Sequence, residues 1–188
     1  MKKKDIGSAP ELTPERVIRG KLHRLYGKLE IISFFEKLIL MVVLLVVLFG
    51  YAFGITPMKS NDMSPRLSAG DLLLYYRLET KFRSDDVVVF DKNGTQYVGR
   101  IVAKGGDAVE ITEDSQLKIN NSTMVETGIF YQTIRYGDQI TYPVELKEDE
   151  YFILCDYRNG AKDSRYFGAV KQDEIRGKVI TVIRRSDL

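Results

Sequence analysis

The chain has 188 residues, 28 Lys and Arg against 26 Asp and Glu, one Cys and one His. A lone cysteine excludes a disulfide framework, and one Cys with one His is too few ligands for a zinc site; nothing in the composition calls for a cofactor. The near-balanced total hides a basic head: the first 37 residues carry nine basic groups against five acidic ones, and the remainder carries 19 against 21.

Residues 1–12 are polar. Thr13-Pro14-Glu15 has the chemistry of a helix start, with Thr as N-cap, Pro at the first helical position and Glu in the first turn. Ile18, Leu22, Leu25, Leu29 and Ile32 then recur at helical spacing on one face, with Arg16, Arg19, Arg24 and Lys28 elsewhere on the helix. Such a basic amphipathic segment beside a membrane span lies most simply on the inner leaflet. A helical partner seam is the rival, weakened by Glu36, Gly20 and Gly27. The modest charge is accounted for by topology, so nucleic acid is not expected as a partner.

Leu38 to Ile55 is 18 residues without a charge, just enough for a spanning helix. Basic residues on its N-terminal side predict that residues 1–37 stay in the cytoplasm and residues 56–188 are exported. Gly50-Tyr51-Ala52 offers a weak signal-peptide cleavage site. The long head and the bulky Tyr51 and Phe53 favour a retained anchor.

After Pro57 the pattern turns to β. Leu72–Tyr76, Asp86–Phe90, Thr95–Val102, Ala108–Thr112, Gln116–Asn120, Ile140–Val144, Tyr151–Asp156 and Lys178–Arg184 read as strands. Turns are marked by Gly70-Asp71, Asn93-Gly94, Gly105-Gly106-Asp107 and Glu113-Asp114-Ser115. Many short strands with almost no helix predict a mainly β, curled antiparallel domain over residues 56–188. Cys155 falls in an apolar strand and reads as a small core residue.

The polar stretch Ser60-Asn61-Asp62-Met63-Ser64-Pro65 begins where the chain leaves the apolar run. With it belong Asp85-Asp86-Val87-Val88-Val89-Phe90, then Tyr97-Val98-Gly99-Arg100-Ile101-Val102 ending in Gly106-Asp107. Asp156-Tyr157-Arg158 with Asp163-Ser164-Arg165 and Gly168 closes the set. In this order, behind an anchor, the blocks resemble type I signal peptidases, membrane-bound Ser/Lys peptidases acting outside the cytoplasmic membrane. The resemblance covers about residues 57–185 and implies a signal-peptidase-like fold. It also implies a structural set of Arg100, Asp163, Ser164 and Arg165, with Asp163 and Arg165 as an ion pair.

The departures fall on the chemistry. Asp62 stands where the family has its nucleophilic Ser, Gly99 where it has the Lys base, and Ala161 where it usually has a supporting Ser; Cys155-Asp156-Tyr157 replaces a Gly-Asp-Asn. Serine-type cleavage needs a hydroxyl and a neutral base within hydrogen-bond reach. The expectation is therefore no catalytic residue and no enzyme, but a cleft lined by Ser60, Asp62, Met63 and Gly99, with Gly99 opening space. The resemblance extends to signal-peptidase-like proteins of streptococcal pilus islands. It implies a non-catalytic assembly factor that binds a pilin precursor or the pilus-polymerising sortase. The alternative is an active signal peptidase with non-standard residues: Ser60 or Ser64 as nucleophile, Lys59 or Lys104 reaching inward, or Asp62 paired with Asp156 or Asp163.

Overall fold

The computed structural model describes residues 14–137 and 139–184; the Thr13 cap, residues 1–12 and the side chains of Arg16 and Arg24 lie outside the described residues. Two compact units divide at Val47 and Leu48. The first contains helix α1, Pro14–Val47, in which the amphipathic stretch and most of the apolar run form one continuous helix. At 1.5 Å per residue α1 is about 50 Å long, more than a bilayer core requires. The helical stretch Ile18–Ala52 has a window of mean hydropathy 2.7 with none of it buried, so it is long and apolar enough to cross a membrane.

The second unit opens with a π-helical turn, Leu48–Ala52, and strand β1, Phe53–Pro57. The last three residues of the apolar run are therefore sheet, not helix: Ile55 stands opposite Leu74 on β2, Leu72–Tyr76. Val87–Lys92 (β3) and Thr95–Lys104 (β4) form a hairpin. Its turn needs positive φ at both central residues, which Asn93 (51°) and Gly94 (75°) adopt. Ala108–Ile111 (β5), Leu117–Ile119 (β6) and Ser122–Thr123 (β7) follow. The strand expected over 140–144 is confined to Val144–Glu145 (β8). Glu150–Leu154 (β9), the short helix Ser164–Phe167 (α2), Val170–Lys171 (β10), a 3-10 turn and Ile175–Ile183 (β11) complete the chain.

The strands make a seven-stranded sheet, β1-β2-β11-β3-β4-β9-β10, and a four-stranded sheet, β7-β6-β5-β8, with every pairing antiparallel. This is the mainly β, antiparallel architecture that the short strands and turn spacing predict. Strand alternation sorts the core. On β9, Phe152 and Leu154 pack with Val109, Ile111 and Leu117, whereas Tyr151 and Ile153 pack with Val88, Phe90 and Ile101 on the other face. Each such fully buried side chain contributes about 1.5–3 kcal/mol of hydrophobic stabilisation. A third cluster, Met58, Met63, Leu67, Leu73, Val89, Val98, Cys155 and Ala161, lies beneath the turn that carries Asp62.

Candidate functional site

Residues 61–67 form a tight turn rather than an extended segment, held by Ser64 N donating to Asn61 O (3.0 Å) and Leu67 N to Met63 O (3.0 Å). Tyr157 N donates to Asp62 O (2.8 Å), tying the turn to the segment after β9. Met63 is fully buried among the core residues, and its Sδ accepts from Asp156 N at 3.4 Å. The expected contact of Met63 with a bound chain is therefore corrected. A thioether with no exposed surface anchors the turn and meets no ligand.

Above this anchor the Ser60 hydroxyl donates to Asp62 Oδ2 at 2.6 Å. The pair borders a narrow depression of about 40 Å³ with Pro57, Met58, Lys59 and the Gln96-Tyr97-Val98 stretch of β4. That is little more than the space of one water, so the depression suits a small side chain. Lys59 is exposed at its rim, whereas Lys104 is exposed at the far end of β4. Ser64 does not border the depression.

Gly99 is not part of this lining. A Cβ there would lie 2.6 Å from Ile153 Cγ2 and 3.5 Å from Phe90 Cε1, on the face of β4 opposite Val98. Gly99 thus opens no space: Ile153 already fills the direction in which a longer side chain would leave the strand. Gly99→Ala is expected to cost about 1–3 kcal/mol by overpacking. The same substitution made in an Ile153→Ala background should cost much less in chemical denaturation, because the clashing methyl is gone and only the 3.3 Å approach to Leu154 O remains tight. Equal penalties in both backgrounds would refute the clash.

The carboxylates offered as partners for Asp62 are engaged elsewhere. Asp156 takes a two-pronged pair from Arg100, Nε to Oδ1 at 2.8 Å and Nη2 to Oδ2 at 2.7 Å, while Arg100 Nη1 donates to Asp85 O. Burial pulls the Arg100 guanidinium down, but the hydrogen bonds and charge of Asp156 outweigh it and leave the value raised. Asp163 and Arg165 form the ion pair that the resemblance implies, and neither side chain has any exposed surface. Asp163 also caps α2 through Arg165 N and accepts from Cys155 N, while Ser164 Oγ accepts from Ile153 N. These residues brace the wall of the site. Ala161 is buried in the Met63 cluster, an apolar position with no hydroxyl to offer.

Cys155 is buried, and burial followed by the nearby Asp163 and Asp62 charges pushes its thiol well above the ordinary value. The native protein is expected to resist alkylation by iodoacetamide at pH 8 and to react fully in denaturant. Rapid labelling of the folded form would contradict the burial. Among the described residues no group of His, Cys, Asp and Glu could hold a metal ion.

Sequence reasoning missed one part of the site wall. Arg158, whose side chain has no exposed surface, pairs with Glu126 and donates to Thr133 Oγ1 and Cys155 O. This latch clamps loop 124–136 against the segment that holds Asp62. No local pattern signals a partner 32 residues away.

Residues 31–183 match the family model described as signal peptidase, peptidase S26. The chain is 32% identical over 165 residues to signal peptidase IB of Staphylococcus aureus strain Mu50, covering 77% of this chain and 86% of that one. It is 25% identical over 178 residues to signal peptidase I P of Bacillus subtilis subsp. natto, covering 88% and 91%. A crystal structure of a signal peptidase I from Enterococcus faecalis V583 is 28% identical, with a TM-score of 0.43 over 54% of this chain and 97% of that one.

These comparisons correct the expectation that the chain is not an enzyme, since the family and the relatives it matches are named peptidases. That expectation considered mainly the standard nucleophile and base positions. The folded site still sets a hydroxyl and a proton acceptor 2.6 Å apart in the cleft. With the family model matching from residue 31 to residue 183, the chain belongs to the signal peptidase family, peptidase S26.

Proposed function

We propose that this protein is a membrane-anchored peptidase that seats an extended segment of an exported polypeptide beside Ser60 and Asp62 and cleaves it with that pair. The observation that carries the reading is the 2.6 Å hydrogen bond from Ser60 Oγ to Asp62 Oδ2. Asp62 accepts the hydroxyl proton as Oγ attacks the scissile carbonyl carbon. The protonated carboxyl then returns that proton to the departing amine, leaving an acyl ester on Ser60. Water, deprotonated by the freed carboxylate, hydrolyses the ester and restores the hydroxyl. A carboxylate is a weaker base than a neutral amine, so turnover is expected to be slow.

The fine assignment of substrate and topology rests on the sequence. The basic head supports a cytoplasmic segment 1–37, a span over 38–55 and an extracellular domain 56–188. The resemblance at Asp62 and Gly99 supports a pilin precursor as the bound polypeptide, with the pilus-polymerising sortase as a neighbour at the outer membrane face. The narrow depression supports a small side chain at the seated position. The test is incubation of the full chain in detergent micelles with a pilin precursor and with a signal-peptide substrate, products being identified by mass spectrometry. Site-specific cleavage is expected; intact substrates after prolonged incubation would overturn the reading.

A further inference from the structure

A second cavity, of about 300 Å³, lies further along the strand that walls the Ser60–Asp62 depression. Gln96 and Val98, and beyond them Arg100 and Val102, follow one another along β4, with a bulge between Ile101 and Ala103. Gln96 and Val98 border the first site, and Arg100 and Val102 border the second. The opposite wall is shared in the same way: Asp62 borders the first and Arg66, four residues on in the same turn, borders the second. The same two elements therefore flank both spaces.

The second cavity is lined by the apolar Val102, Leu117, Ile119 and Ile129 and by the charged Arg100 and Glu126, with the exposed Arg66 and Asp85 also bordering it. Arg66 Nη2 donates to Thr127 O (2.9 Å), which holds loop 124–129 over the space, and the Glu126–Arg158 pair holds the same loop from behind. Asp85 is exposed in this lining, where its charge helps to hold Arg100 protonated. A guanidinium that donates and a carboxylate that accepts match the C=O and N–H of a peptide backbone. The volume below holds one large apolar side chain, far more than the depression at Asp62 admits.

We propose that this cavity is a second subsite for the same extended polypeptide, receiving a bulky apolar side chain while Arg66 and Asp85 engage the main chain. The proposal rests on the reading that Ser60 and Asp62 seat an exported polypeptide. Val98 and Val102 are four strand residues apart, about 13 Å, so the bulky residue stands about four positions from the small one at Asp62.

The test uses the full chain in detergent micelles and synthetic 20-residue peptides with benzoylphenylalanine at successive positions. Photocrosslinks from one position to residues 59–62 are expected, with crosslinks to residues 124–129 from a position about four away. Labelling at 59–62 without labelling at 124–129 overturns the subsite alone. Absence of labelling at 59–62 overturns the underlying reading and the subsite with it. As a second measurement, Met124→Trp narrows the mouth at an exposed position, and Asp85→Gly removes the carboxylate where φ is 72°, a conformation glycine accepts. A peptide with Leu at the second position should bind about tenfold more weakly to Met124→Trp than to the parent, whereas the Gly peptide should bind both equally. Asp85→Gly should weaken both peptides. Equal parent affinity for the Leu and Gly peptides would refute the subsite.

Discussion

Asp163→Ala is expected to lower the stability of the β domain by about 3–5 kcal/mol, the cost of leaving a buried charge without its partner. The carboxylate it removes serves three groups: the Arg165 guanidinium, Arg165 N at the start of α2, and Cys155 N. Arg165 would remain with no exposed surface, its Nη1 on Ile134 O at 3.3 Å and its face 4.2 Å from the Tyr136 ring, and neither supplies a counter-charge. A domain of this size has about 5–15 kcal/mol in hand, so the loss is a large share of the total. Chemical denaturation monitored by tyrosine fluorescence reads it directly. Arg165→Met should be comparably damaging, and joining it to Asp163→Leu should recover part of the loss, because no unpaired charge remains. A single-variant penalty below about 1 kcal/mol, the scale of an exposed ion pair, would contradict this account.

The second large effect is catalytic. Ser60→Ala should abolish site-specific cleavage, and Asp62→Asn should slow it by about 10²- to 10⁴-fold, the usual worth of a positioned general base. Asparagine keeps the size of the side chain, and the main-chain bond from Tyr157 N to Asp62 O does not depend on it. Both variants should therefore unfold like the parent protein while losing turnover. Cleavage that survives Ser60→Ala undiminished would remove the hydroxyl from the mechanism. Single-turnover measurement separates chemistry from binding, since the loss should lie in the rate and leave the affinity unchanged.

Gly99 links the two kinds of effect. Introducing an amine by Gly99→Lys alone would drive the new side chain into Ile153, whose Cγ2 occupies the exit direction. Any attempt to install a lysine base has to shorten Ile153 in the same variant.

Much of this protein could be read from its residues in order. The uncharged run marks a helix long and apolar enough to cross a membrane, because length and hydropathy are read directly from the residues. Asn93-Gly94 and the Gly-rich turns mark the hairpins, because positive φ is a local property of the backbone. The resemblance implies that the acid at position 62 and the glycine at 99 depart from the family pattern. Folding alone decided what those departures mean. Pairing inserts β11 between β2 and β3, makes a strand of Phe53–Pro57, and buries Met63 under a turn that extended geometry would have exposed. It also brings Glu126 to Arg158 and Ile153 against Gly99. Contacts of this kind are chosen by packing between segments tens of residues apart, and no periodicity along the chain records them.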